Sequence, residues 1–128
     1  MRSEKRKYTR FLAQEKAYVA LGTRFTKVGK LKDISIGGLA FRYIEKTETS
    51  VHDSSQVAIF VSENRFYLPD LACRLIYDST LEVINNIQHF KTPFKINRCG
   101  VQFTDITEYQ LEKLEFFIDH YTRKLMPH

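Results

Sequence analysis

Two short clusters carry residue types from which ligand chemistry can be built. Arg6-Lys7-Tyr8-Thr9-Arg10 sets two arginines four positions apart in a basic N-terminal segment. A guanidinium is planar and permanently charged. It can grip a phosphate through two parallel N–H donors and lie flat on a purine. Two of them on one segment could clamp a phosphodiester or sandwich a base, although such a segment can also simply be solvated. The second cluster is Asp33-Ile34-Ser35-Ile36-Gly37-Gly38. Asp33 offers two acceptor oxygens, the arrangement that the N1–H and N2–H₂ edge of guanine demands. Ser35 offers a hydroxyl for a phosphate or base edge. Gly37 and Gly38 permit positive φ and let a ligand come close to the backbone. The alternative is an Asx-type turn in which Asp33 and Ser35 cap their own chain.

Little else in the sequence suggests reactive chemistry. There is no GxSxG, Walker loop or HExxH, no Ser-His-Asp order and no close acidic pair, so the chain is not expected to be an enzyme. Cys73 and Cys99 fall on alternating apolar stretches, which suits buried thiols. The four histidines (His52, His89, His120, His128) show no metal-ligand spacing, so neither a metal site nor a cofactor is expected. The charge is lopsided: residues 1–32 hold ten basic and two acidic side chains, and residues 33–128 hold ten and thirteen. That asymmetry points to an anionic partner met at the basic end. No apolar run is long enough to span a bilayer and no secretory signal opens the chain, so a cytoplasmic protein without membrane insertion is expected.

The elements that must position these clusters are mainly strands. Period-two alternation runs through Ala17-Val19-Leu21, Phe25 to Lys32, Leu39-Phe41-Tyr43, Val57-Ile59-Val61, Leu71 to Tyr77 and Val101-Phe103, with turn-rich residues between. A chain of 128 residues suffices for one domain. The pattern predicts a small antiparallel β-barrel of about six strands over 14–128, preceded by a flexible basic arm at 1–13. A strand ending near Asn85 and an irregular loop through Pro93 are expected within the poorly patterned stretch 79–98. The C-terminus then changes period. Leu111, Leu114, Ile118, Tyr121 and Leu125 recur at helical spacing behind a Thr107–Gln110 capping box, predicting a helix over about 107–125. Its apolar stripe serves either to dock on the barrel or to pair with a twin helix in a homodimer.

Arg-x-x-x-Arg on an N-terminal arm, followed by Asp-x-Ser-x-x-Gly between early barrel strands, resembles the PilZ domain family. The ending Arg98-Cys99-Gly100-Val101-Gln102-Phe103-Thr104-Asp105-Ile106 is similar to that family's last strand leading into its C-terminal helix. The resemblance spans residues 5 to about 124. It implies a bacterial receptor for bis-(3′,5′)-cyclic dimeric GMP (cyclic di-GMP), in which Arg6 and Arg10 form the clasp. Asp33 would then accept guanine, Ser35 would make a polar contact, and Gly38 would supply the backbone turn. Lys5, Gly37 and Arg98 are candidate accessory contacts, although for Arg98 an ordinary exposed strand residue is the preferred reading. Output would pass to a downstream protein through a surface changed when the arm folds over the ligand. Two other readings are a PilZ-fold protein-interaction module that binds no nucleotide, and a barrel binding single-stranded nucleic acid. The inward placement of most of the aromatics and the net negative charge of the barrel speak against the last.

Overall fold

The alternation read from the sequence closes on itself. A computed structural model of the chain describes residues 8–22, 27–46, 55–63, 65–84 and 94–125. Its elements are β1 (Phe11–Ala13), β2 (Ala17–Leu21), β3 (Lys27–Ser35), β4 (Gly38–Lys46), β5 (Gln56–Val61), β6 (Phe66–Ile84), β7 (Phe94–Phe103), α1 (Glu108–Tyr121) and β8 (Thr122–Leu125). Six strands form an antiparallel ring in the order β2-β5-β6-β7-β4-β3, and β3 pairs back onto β2. The inward set includes Val19, Leu31, Phe41, Ile59, Leu71 and Cys99, all fully buried. Burying one such side chain contributes about 1.5–3 kcal/mol, so the ring rests on many moderate terms. Both thiols, Cys73 and Cys99, are buried and neither forms a disulfide, as the alternation suggested.

A bulge in β3 decides which face the second cluster occupies. Leu31 stands opposite Phe41, yet Asp33 stands opposite Ala40, so Lys32 is the extra residue. Were Lys32 paired in regular register, strict alternation from buried Leu31 would send Asp33 and Ser35 inward and Ile34 outward. With the bulge, Ile34 enters the core and Asp33 and Ser35 turn to the outer wall.

The last element differs from expectation. Thr107 caps α1 and the capping box with Gln110 forms as read, but the helix stops at Tyr121. Residues 122–125 turn into β8, which pairs with β1, so the helix does not extend to 125. Leu114 and Phe117 are fully buried, and Phe117 meets Phe66 with ring centroids 5.2 Å apart. The helical stripe therefore docks on its own barrel. Phe11–Ala13, the end of the stretch read as an arm, pairs with β3 and β8. A three-residue and a four-residue strand are too brief to show a period.

The stretch 79–98 is mostly strand where it is described. β6 runs to Ile84, matching the expected end near Asn85, but β7 begins at Phe94, and the expected loop through Pro93 lies outside the described residues. Residues 74–83 are exposed throughout, so this part of β6 carries no inward–outward contrast to betray it. Beside it lies a polar group of side chains. The Tyr43 hydroxyl donates to Asp78 at 2.7 Å, Lys27 donates to Asp78 at 3.2 Å, and Asn97 donates to Tyr43 at 3.0 Å and to Glu45 at 2.8 Å.

Candidate functional site

The site is built on rows of residues that cross the outer wall strand by strand. Asp33 stands opposite Ala40, Ala40 opposite Gly100, and Gly100 opposite Tyr77. One step along, Ser35, Gly38, Gln102 and Arg74 form a parallel row. Ala40 and Gly100 in the first row and Gly38 in the second leave the floor low, and a pocket of about 230 Å³ forms over them. Tyr8, Arg10, Ile76 and Tyr77 wall it.

The glycines act through space and not through backbone freedom. Among the described residues only Gly22 is a glycine with positive φ, so Gly37 and Gly38 do not supply the left-handed turn expected of them. A Cβ at Gly38 would overlap the Val101 carbonyl oxygen. Cβ atoms at Gly37 and Gly100 would run into the rings of Tyr8 and Tyr77 respectively. Each tyrosine ring thus sits where a side chain at the glycine would stand.

Asp33 is the electrostatic centre. It is 2% exposed, and such a carboxylate is tolerable only when paired and hydrogen-bonded. Arg10 donates to Oδ1 through Nε at 2.9 Å and also through Nη2, while Arg98 donates to Oδ2 through Nη2 at 3.1 Å. Arg98 also donates from Nε to the Tyr77 hydroxyl at 3.1 Å. Burial works against the Arg98 charge. Its hydrogen bond to Tyr77 and its attraction and hydrogen bond to Asp33 outweigh that, raising its pKa above the ordinary guanidinium value. Ser35 takes the local role that the turn alternative foresaw, accepting the Gly37 N–H at 3.0 Å. Asp33 does not cap its own turn.

Of the residues singled out in the sequence, Arg10, Asp33, Ser35, Gly37 and Gly38 line one pocket. Arg98 reaches the same carboxylate and is more than an ordinary exposed strand residue. Arg6 and Lys5 lie outside the described residues. Tyr77, Ala40 and Gly100 were not recognised as site residues because their convergence depends on cross-strand register, and Tyr8 was not recognised because it reaches the pocket from the segment before β1. Among the described residues no cluster of His, Cys, Asp or Glu could hold a metal ion. No helix among them is long and apolar enough to cross a membrane.

These features define a class: a small closed β-barrel with a C-terminal helix and an arginine–carboxylate cleft on its outer wall. The family model of the PilZ domain matches residues 4–120, and the chain belongs to that family. Among solved structures it is similar to the PilZ domain of YcgR from Escherichia coli with c-di-GMP, at 16% identity over 92% of each chain and a TM-score of 0.63. It is also similar to YcgR from Escherichia coli in complex with c-di-GMP, at 16% identity and a TM-score of 0.58, over 91% of this chain and 45% of that one. At this identity the likeness is one of fold. Comparison with curated proteins returned no match.

Proposed function

We propose that this chain is a bacterial receptor for cyclic di-GMP that binds through Arg6, Arg10, Asp33, Ser35 and Gly38 and passes the signal to a partner protein. The observation that carries the reading is a buried carboxylate shared by two arginines above a floor of glycine and alanine. Asp33 and its two arginines sum to one positive charge, which suits an anionic ligand. A guanine presenting N1–H and N2–H₂ needs both carboxylate oxygens, and Arg10 already fills Oδ1 with two bonds. Binding therefore exchanges one pairing for two: guanine takes Asp33, and the released Arg10 turns to phosphate or stacks on the base. Charge-assisted bonds form on both sides of that exchange, so its cost is small. Arg98, held by Tyr77, keeps Oδ2 oriented, and Gly37 leaves room for the ring of Tyr8.

The arm is also the route to an output. Tyr8 lines a second groove of about 360 Å³ together with Phe11, Ile36, Glu115 and Ile118. A shift of the Arg6–Arg10 segment thus alters a face that includes α1, where a partner can read it. The proposed division is an arm ending before Phe11 and one PilZ domain after it, with no catalytic residue. Calorimetric titration with cyclic di-GMP tests the reading. Heat of binding that is lost in Arg10→Ala and Asp33→Ala supports it. No heat at tens of micromolar ligand overturns it and favours an interaction module that binds no nucleotide.

A further inference from the structure

The row next to the pocket floor is made of cations. Cross-strand register places Lys30 of β3 opposite Arg42 of β4, and Arg42 opposite Arg98 of β7. Neighbouring strands lie about 4.8 Å apart, so three positive side chains stand side by side on one face. The bulge adds a fourth, Lys32, beside them. Lys30 and Arg42 are exposed. Among the described residues no carboxylate lies within ion-pair distance of Lys30, Lys32 or Arg42. Like charges facing each other across strands destabilise a sheet. The strain is felt at Lys32, whose pKa is lowered first by burial and then by repulsion from Arg42, Lys30 and Arg98.

We infer that this row is a phosphate subsite contiguous with the Asp33 pocket. The inference rests on the cyclic di-GMP reading and says where the rest of that ligand lies. A pocket of about 230 Å³ is smaller than the roughly 300–1,000 Å³ typical of small-molecule sites, so a molecule with two purines and two phosphates overflows it. On the β3–β4–β7 side, the overflow meets Arg42 and Lys30 directly beyond Arg98. A phosphodiester there neutralises charges that otherwise repel one another. The phosphate comes either from the far side of the molecule bound at Asp33 or from a second molecule stacked on it. Both sources present the same chemistry.

Calorimetry with cyclic di-GMP on the wild type, Lys30→Ala/Arg42→Ala and Arg10→Ala separates the outcomes, with a thermal melt of each protein without ligand. The expected result is binding about tenfold weaker in Lys30→Ala/Arg42→Ala, with an unliganded melting temperature unchanged or raised as the repulsion is removed. A merely structural role would move the two readouts together. Unchanged stoichiometry in that variant assigns the phosphate to the same molecule. A fall from two ligands to one assigns it to a second. Wild-type affinity and stoichiometry in Lys30→Ala/Arg42→Ala, with binding lost in Arg10→Ala, overturns the subsite and leaves the receptor reading standing. A wild type that does not bind overturns both.

Discussion

Removing one partner of a buried ion pair strands the other charge, so variants at the site differ by which charge they strand. Asp33 is almost fully buried, whereas the Arg10 and Arg98 side chains keep 25% and 31% exposure. Either arginine can turn to water if Asp33 goes, but Asp33 cannot escape if both arginines go. Arg10→Ala/Arg98→Ala should therefore lose about 3–5 kcal/mol of stability. Adding Asp33→Ala to that pair should recover part of the loss, a reversal that simple loss of contacts cannot produce. Urea denaturation of the double and triple variants reads it directly, and a triple variant less stable than the double would contradict it. The glycines sort by what stands over them. Gly38→Ala drives a methyl into the Val101 carbonyl, which is backbone of the neighbouring strand and cannot swing aside. A loss of about 1–3 kcal/mol is expected there. Gly37→Ala meets only the ring of Tyr8 and should cost less stability while disturbing the pocket wall.

The elements show why sequence patterning went as far as it did. The six ring strands were legible because one face of each is buried, and alternation is the trace that burial leaves. Thr107 and Gln110 were legible because a capping box is local. Tyr77 was not, and Arg98 was read only as a candidate accessory contact, since only the pairing of β7 with β6 and β4 brings them to Asp33, and register between distant strands leaves no local trace. The strands β1 and β8 are too short for a period, and the Leu125 that seemed to continue the helical stripe belongs to β8. The bulge is the sharpest case: Leu31, Asp33 and Ser35 read as one face, and a single extra residue sends the last two to the opposite side. Deleting Lys32 takes out only the residue that stands opposite none, so Asp33 and Ile34 should keep their partners and their faces and the fold should survive. A retained cooperative melt and retained near-ultraviolet circular dichroism are the expected result. The docked helix offers a plainer test at this scale. Phe117 is fully buried beneath Phe66, so Phe117→Ala should lose about 3–5 kcal/mol in chemical denaturation.

The barrel as a whole holds two acidic hydroxyl- or thiol-type groups in their neutral forms, and this sets its response to alkali. Burial pushes the Cys99 thiol up to about 12, with the nearby Asp78 charge and Cys73 adding to the effect and Lys27 opposing it. Burial, followed by the hydrogen bond to Asp78, raises the Tyr43 hydroxyl above its ordinary value as well. In the unfolded chain these groups ionise near about pH 8.5 and 10. A folded-state pKa above the unfolded one means that the unfolded state sheds its proton first. The stability linked to each group is therefore complete below its unfolded pKa and declines as pH rises toward the folded value. For Cys99 that window runs from about pH 8.5 to about 12. Denaturant midpoints should hold level from neutral pH to about 8.5 and then fall. Cys99→Ala removes the thiol along with some packing, so it should start lower at pH 7 and fall less steeply across the same window. A variant curve parallel to that of the wild type would show that the alkaline loss comes from other groups. Tyr43→Phe should leave the first part of the decline in place and lessen the fall above about pH 10, separating the thiol from the phenol on one titration axis.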